Sequence, residues 1–112
     1  MRADDSVRIR HMMDAAESAM RFVQGRRRAD LDSDEMLCFA LTRAVEIIGE
    51  AASKVSAEGR AAAPNVPWVE VTGMRNRLVH AYFDVDLDIL WCTAQQAILA
   101  LLVQLNAIPL LE

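Results

Sequence analysis

The chain has 112 residues, a length that fits one domain and is too short for two full hydrophobic cores. With 54% hydrophobic, 25% charged and only 5% aromatic residues, its composition excludes a disordered tail and argues against a many-stranded β-sandwich. The formal net charge of −4 excludes a histone-like coat for nucleic acid. We therefore predict a single all-α domain over residues 1–112.

The sequence carries no pattern that predicts export or a membrane span. The first ten residues include several charged ones, and the longest apolar stretch, Ala97 to Val103, is far short of the roughly 20 residues that cross a bilayer. Cys38 and Cys92 lie in apolar stretches, and we interpret both as small core residues in a reducing compartment. We therefore expect a cytoplasmic protein with no membrane association.

The first predicted helix runs from about Asp5 to Val23, because apolar residues recur there at helical spacing and Gly25 follows as a C-terminal stop. Three arginines, Arg26 to Arg28, open the connection behind it. They could guide RNA by electrostatic attraction, but a run of charge in a loop is usually only solvated. We favour the solvated interpretation.

The second predicted helix begins behind Asp32, which can act as its N-cap, with Glu35 three residues on completing a pair that resembles a capping box. Its apolar face extends from Leu37 to Val55. Gly59 and Pro64 are expected to end this segment, since glycine and proline are both typical of helix C-termini.

The third predicted helix starts at Pro67, a residue suited to a first helical turn because its missing N–H would be unpaired there. Its expected buried stripe consists of Trp68, Val71, Met74 and Leu78. The fourth helix starts at Asp86, as its N-cap, and ends before Pro109. Between them we expect an irregular polar corner at residues 80–84, and antiparallel packing of these helices predicts a small bundle.

The end of the third helix contains more polar chemistry than a bundle needs for packing. Arg75, Asn76, Arg77, His80 and Tyr82 lie within eight residues. Arginine offers a planar fork to phosphate oxygens, and histidine, with an ordinary pKa of about 6.5, exchanges protons near neutral pH. These groups suffice for cleaving RNA without a metal or another cofactor. Such a reaction needs a base for the ribose 2′-OH and a cation for the charge that grows on the phosphate.

Regular helix geometry, however, would separate the two principal groups. Arg75 and His80 are five positions apart, hence about 140° apart around the axis and roughly 7.5 Å along it, whereas Asn76 and Arg77 would share the face of His80. Three explanations are open: the helix unwinds before His80, Arg75 reaches with its long side chain, or a second chain completes the site. The sequence leaves open whether Arg75 or Arg77 dominates.

The segment from Met74 to Tyr82, MRNRLVHAY, resembles the R-x4-H-x-Y motif of the HepT-like toxins in the HEPN superfamily of α-helical ribonucleases. Residues 43–52, RAVEIIGEAA, are similar to the second helix of that family, and Pro67-Trp68 followed by Gly73-Met74 is similar to its lead-in to the motif. The resemblance spans about Leu41 to Trp91. It implies a HEPN-like antiparallel bundle of four to five helices.

The resemblance also implies a function: a metal-independent endoribonuclease toxin of a prokaryotic type II toxin–antitoxin system, acting as a homodimer without a cofactor. Arg75 and His80 would be catalytic, and Asn76 and Arg77 would support phosphate binding. Tyr82 would receive AMP from a nucleotidyltransferase (MntA-like) antitoxin. RNA, this antitoxin and a second copy of the chain are thus the implied partners, and the dimeric site of the family favours completion of the site by the second chain.

Two other classes of function stay open. A non-catalytic HEPN helical module could bind nucleotide or RNA, or serve as a subunit of a nucleotidyltransferase complex, with Arg75 and His80 holding phosphate without cleaving it. A purely structural dimerisation bundle is the third class.

Acidic residues near the motif have simpler interpretations than a metal site. Asp84, Asp86 and Asp88 alternate, but Asp86 is accounted for as an N-cap and Asp88 lies in the favourable first turn of a helix. We therefore predict no metal. Glu46 and Glu50, at i and i+4, are expected to pair with basic residues of their own helix or with an arginine of the motif.

Overall fold

The computed structural model describes residues 1–81 and 84–110, and for His80 and Ala81 it describes the backbone alone. Within that part of the chain it is a helical bundle with one short hairpin, which confirms the predicted all-α class. The elements are α1 (Ala3–Val23), α2 (Asp30–Ser33), α3 (Glu35–Ser53), α4 (Ala57–Ala61), α5 (Trp68–Leu78), β1 (Val79–Ala81), β2 (Asp84–Val85), α6 (Leu87–Cys92), a π-helical turn (Thr93–Ala97) and α7 (Ile98–Asn106). The π-helical turn joins α6 to α7 in one continuous helix, so four long helices form the bundle, as predicted.

The core lies between α1, α3 and the continuous helix, with α5 packed against α3. Its fully buried large side chains include Ile9, Met12, Leu41, Val45, Ile48, Leu78, Leu90, Ile98, Leu101 and Leu105. The predicted stripe of α5 is confirmed, because Trp68, Val71, Met74 and Leu78 are all buried. Burying each such side chain stabilises the fold by about 1.5–3 kcal/mol. The rotation of α5 is thereby fixed, and residues 75–77 are left on its exposed side.

Trp68 also fixes where α5 begins. Its indole N–H donates to the carbonyl of Ala63 at 3.0 Å, and the guanidinium of Arg60 lies over its ring, 5.7 Å from the centroid. Pro67 is the N-cap, one position before the first helical residue, close to its predicted place. The start of the helix that carries the motif is thus anchored to the α4 corner.

Two predicted helix boundaries are confirmed by their local geometry. Gly25 adopts a positive φ of 73° directly behind α1, the left-handed conformation that glycine allows at a helix C-terminus. Asp86 is the N-cap of α6, and its carboxylate accepts a hydrogen bond from the amide of Ile89 at 3.0 Å.

The predicted start of the second helix is wrong by two residues. Asp34, not Asp32, is the N-cap of α3, and its carboxylate accepts from the amide of Leu37 at 3.0 Å. Asp32 belongs to the extra one-turn helix α2 and pairs with Arg28 at 3.1 Å. Asp30, Asp32 and Asp34 alternate in the sequence and each could cap a helix, but the first two lie within the one-turn helix α2.

The predicted end of that helix is also wrong. α3 ends at Ser53, and Gly59 lies inside the short helix α4, whose N-cap is Ser56. The cause is a contact from the other end of the chain: buried Asp5 accepts hydrogen bonds from the amide of Ser56 at 2.8 Å and from its hydroxyl at 2.6 Å. Gly59 is needed for this close approach, since a Cβ there would lie 2.6 Å from the Asp5 carboxylate.

The arginine run is not merely solvated, which corrects our interpretation. Arg26 pairs with Asp34 at 2.6 Å, and Arg28 pairs with Asp88 at 2.7 Å. The hydrogen bond that Arg26 donates to Asp34 raises the pKa of Arg26, and the one that Arg28 donates to Asp88 raises the pKa of Arg28. These pairs tie the connection behind α1 to the starts of α3 and α6, so two of the three arginines already have partners within the fold.

The continuous helix Leu87–Asn106 is, by length and composition, long and apolar enough to cross a membrane, although its longest uninterrupted apolar stretch is short. Ile98, Leu101 and Leu105 of this helix are buried in the bundle, but only 22% of its apolar window is buried. Its outer side exposes Val103 and also Cys92, so the interpretation of Cys92 as a core residue is wrong.

Candidate functional site

The backbone leaves the helix before it reaches His80. α5 ends at Leu78, and Val79 is extended, with φ −113° and ψ 108°. β1 then pairs antiparallel with β2, in a register that sets Val79 opposite Val85. The geometry of an undistorted helix therefore does not apply to Arg75 and His80, and unwinding before His80 is the explanation that the structure supports for the backbone. The expected irregular corner forms this short hairpin in its described part.

A polar cavity of about 330 Å³ opens between α3 and α5. Its described lining is Glu46, Gly49 and Glu50 from α3 and Thr72, Arg75 and Asn76 from α5. Gly49 leaves this part of the lining without a side chain, and a Cβ there would make ordinary van der Waals contact, 3.6 Å from the carbonyl oxygens of Val71 and Thr72. The cavity thus has a backbone floor and polar walls.

Arg75 and Asn76 provide the hydrogen-bond donors of this cavity. Both side chains are exposed, and neither makes a hydrogen bond or ion pair with a residue that the structure describes. An arginine whose N–H groups make no hydrogen bonds within the described fold can bind a phosphate in the bidentate arrangement that its planar guanidinium favours. The structure therefore brings together two of the predicted site residues.

Arg77 is placed differently from Arg75. It is exposed but does not belong to the described lining of the cavity, and one of its guanidinium nitrogens lies 4.0 Å from where a Cβ of Gly73 would be. Its side chain thus extends back along α5. The sequence left the choice between Arg75 and Arg77 open, and the structure places only Arg75 at the cavity.

The α3 side of the cavity is acidic. Glu46 pairs with Arg43 at 3.5 Å, as the sequence indicated for a neighbour on its own helix. Glu50 is exposed, and its carboxylate makes no hydrogen bond or ion pair with a described residue. The sequence indicated an arginine of the motif as an alternative partner of these two carboxylates, and the structure sets both in the lining that Arg75 shares, although neither forms an ion pair with Arg75. The i, i+4 spacing of Glu46 and Glu50 indicates that both lie on one side of α3, away from its buried face. It does not indicate which helix packs beside that side.

The side chain of His80 and the whole of Tyr82 lie outside the described residues. Their predicted roles stay predictions. What the structure contributes is the backbone position of His80 in β1, two residues beyond the end of α5 and five beyond Arg75.

The alternating aspartates behind the motif are engaged elsewhere. Asp86 caps α6, Asp88 binds Arg28, and Asp84 is exposed in β2. Within residues 1–81 and 84–110, described side chains of His, Cys, Asp and Glu form no group of three that could hold a metal ion.

A second opening, which we call the apolar groove, lies between α1 and α3 and has a volume of about 230 Å³. Its lining is Ala15, Ser18, Phe22, Ala40, Arg43, Ala44 and Ile47. Phe22 is 38% exposed, and Phe39, one position before Ala40 on α3, is 64% exposed. Because Arg43 lines the groove and pairs with Glu46 of the polar cavity, the two openings adjoin.

Comparison with known proteins places this arrangement in a family. The family described as "Ribonuclease HepT-like" matches residues 12–108. A protein of Methanocaldococcus jannaschii that is provisionally named an RNase is 36% identical over 80 residues, which cover 71% of this chain and 73% of the relative. A provisionally named ribonuclease HepT of Thermococcus cleftensis is 42% identical over 69 residues, covering 62% of this chain and 63% of the relative.

A protein of Caldanaerobacter subterraneus subsp. tengcongensis, also provisionally named an RNase, is 38% identical over 85 residues, 76% of each chain. No solved structure matches the chain. The match to residues 12–108, the helical bundle and these relatives together show that the chain belongs to the HepT-like ribonuclease family of the HEPN superfamily.

Proposed function

We propose that the protein is a metal-independent endoribonuclease toxin whose catalytic residues are Arg75 and His80. The observation that carries this proposal is the position of Arg75, exposed and unpaired among described residues at a polar cavity, in a chain of the HepT-like ribonuclease family. The donors on the α5 side of the cavity are exposed to solvent, so that an RNA phosphate can reach them.

The reaction that these residues suit is transesterification within the RNA. The 2′-OH attacks the neighbouring phosphorus as His80 removes its proton, the bond to the 5′-oxygen breaks, and that oxygen takes a proton. The products are a 2′,3′-cyclic phosphate and a free 5′-OH. Arg75 stabilises the negative charge that grows on the phosphate oxygens, a contribution that preorganised donors make in many enzymes. Since the substrate supplies the nucleophile, the reaction needs no metal-bound water.

A homodimer is part of the proposal, and the apolar groove is the surface we assign to it. Phe39 beside the groove is 64% exposed, and large exposed apolar residues that adjoin a groove are typical of interaction sites. The groove adjoins the polar cavity through Arg43 and Glu46. A second copy seated there would therefore approach the candidate site and could complete it.

The proposed regulation is covalent and takes place in the cytoplasm. A nucleotidyltransferase antitoxin would transfer AMP to the hydroxyl of Tyr82, forming a phosphodiester and releasing pyrophosphate from ATP. The adenylate would bring bulk and negative charge to a site that must accept a phosphate, which would block RNA by exclusion and repulsion. Mass spectrometry of Tyr82 after coexpression with such an antitoxin, with Tyr82→Phe as the control, tests this step.

Cleavage of RNA in EDTA tests the activity itself. Wild-type protein is expected to leave 2′,3′-cyclic phosphate ends, and His80→Ala is expected to lose cleavage while it retains RNA binding. Binding of intact RNA by the wild type would instead support the non-catalytic helical module. No binding at all would support the purely structural dimerisation bundle.

A further inference from the structure

The polar cavity has two walls of opposite charge. Arg75 and Asn76 present donors from α5, whereas Glu46 and Glu50 present carboxylates from α3. A phosphate is attracted to the first wall and repelled by the second. If RNA binds here, as proposed above, the carboxylates face hydrogen-bond donors of the substrate. RNA offers such donors singly at the ribose 2′-OH and as neighbouring N–H groups only on the bases.

Glu50 is the better candidate of the two for this contact. Glu46 already pairs with Arg43 at 3.5 Å, and its side chain is only 32% exposed. Glu50 is exposed, and its carboxylate has no hydrogen bond or ion pair with a described residue. An ionised carboxylate accepts hydrogen bonds at two oxygens and donates none, so it selects a base edge with two neighbouring donors.

Guanine fits this requirement better than the other bases do. Its Watson–Crick edge places N1–H beside the amino group at N2, so two parallel donors can meet one carboxylate. Adenine and cytosine each set a ring acceptor beside their amino group, and uracil flanks its single N–H with two carbonyls. Unstacked bases of single-stranded RNA are read on these edges.

We propose that the cavity between α3 and α5 is a subsite for a guanine base next to the scissile phosphate, with Glu50 accepting from N1–H and N2–H. The proposal rests on the proposed ribonuclease function. The free amide of Asn76 can donate to the guanine O6. The volume of about 330 Å³ is at the lower end of the range of ~300–1,000 Å³ typical of small-ligand sites. Gly49 leaves the floor without a side chain.

Two sets of oligonucleotides test the subsite and the activity separately. The first are DNA strands with one ribonucleotide, so that each has a single cleavable bond, and they carry each base in turn on either side of that bond. The second are fully 2′-O-methylated strands of the same sequences, which cannot be cleaved because the nucleophile is blocked. Cleavage rates are measured on the first set, and binding by fluorescence anisotropy on the second.

Wild-type protein is expected to prefer guanine by about 10-fold or more, the discrimination that a two-bond contact to a base edge supplies. Inosine, which lacks the N2 amino group, should lose much of this preference. Glu50→Gln replaces one acceptor by a donor, which suits adenine, so its preference should shift from guanine to adenine. Glu70→Gln is the matched control, since Glu70 is exposed on α5 and does not belong to the described lining.

The outcomes separate the two proposals. Guanine-selective binding without any cleavage would contradict the ribonuclease function and leave the subsite standing. Cleavage that is equal for all four bases, or a guanine preference that Glu50→Gln leaves unchanged, would overturn the subsite and leave the ribonuclease. Dissociation of a dimer by Glu50→Gln in light scattering would also overturn it, because Glu50 would then pair with protein.

Discussion

The amide of Asp86 donates to the carbonyl of Leu78, the last residue of α5, at 2.7 Å. This bond closes the hairpin directly behind the helix that carries Arg75, and the backbone of His80 lies inside the segment that it closes. Asp86 is also the N-cap of α6. One residue therefore ends the hairpin and begins the next helix, which couples the position of His80 to the rest of the bundle.

Asp86→Ala tests the capping role of Asp86. The variant loses the carboxylate that accepts from the amide of Ile89, and we expect it to lower the free energy of unfolding by about 0.5–2 kcal/mol, the usual cost of removing an N-cap. Asp86→Asn should be close to the wild type, because asparagine also caps. Urea denaturation measures both. Asp84→Ala, at an exposed position in β2, is the control, and a loss there equal to that of Asp86→Ala would contradict the capping role.

Two glycines offer a second, paired prediction on stability. Gly59→Ala would set a methyl group 2.6 Å from the Asp5 carboxylate, which cannot yield easily because Ser56 holds it, so we expect a loss of about 1–3 kcal/mol. Gly49→Ala makes only ordinary contacts at 3.6 Å and improves helix propensity, so its stability should be unchanged or about 0.5–1 kcal/mol higher. Thermal unfolding of both variants gives the comparison; a reversed order would show that the packing around Asp5 adapts.

Asp5 should make stability depend on acid. Hydrogen bonds from the hydroxyl and amide of Ser56 hold the pKa of this carboxyl below its ordinary value, so the stabilisation is fully present above the unfolded pKa of about 3.9 and is lost as the pH falls through the lower folded pKa. Asp5→Asn should be less stable at pH 7 by about 1–3 kcal/mol, because one of the two part-buried donors of Ser56 loses its acceptor.

Below pH 4 the difference between Asp5→Asn and the wild type should shrink. Urea denaturation from pH 3 to pH 7 measures it, with Asp4→Asn as the exposed control on the same helix turn. The carboxyls of Asp34 and Asp30, whose pKa values are also lowered, titrate in both proteins and cancel in the difference. A difference that stays constant across this range would contradict the assigned pKa direction.

The apolar groove gives a prediction on assembly. Phe39→Asp places a charge beside the groove and should convert a dimer to a monomer, since an unpaired charge in an apolar interface is costly. Val103→Asp is the matched control, because Val103 on α7 is 66% exposed and Phe39 is 64% exposed. Light scattering after size exclusion measures the mass. Dissociation by Val103→Asp alone would move the interface to the continuous helix.

The parts of the fold that the sequence predicts are those set by local chemistry. The apolar stripe of α5, the left-handed Gly25 and the Asp86 cap each follow from a spacing or a residue type, and all three are confirmed. The errors arise where distant residues decide. Asp5 meets Ser56 across 51 positions, and no local pattern shows why Gly59 must lack a side chain.

The candidate site likewise contains residues that the local sequence predicts and residues that only the tertiary fold brings in. The motif identifies Arg75 because its residue types and spacing are in one short segment. Glu50 faces it only because α3 packs beside α5, and that proximity is a property of the tertiary fold. The local sequence around Arg77 gives it the same chemistry as Arg75, and only the rotation of α5 separates them.

The central claim is that Arg75, at the cavity, binds the reacting phosphate of an RNA, and single-turnover cleavage in EDTA by matched arginine variants tests it most directly. Wild-type protein should cleave, Arg75→Ala should be about 10²–10³-fold slower, as on removal of one donor to a developing charge, and Arg77→Ala should be affected much less. An equal or reversed ranking of the two variants, or intact RNA with the wild type, would contradict the account.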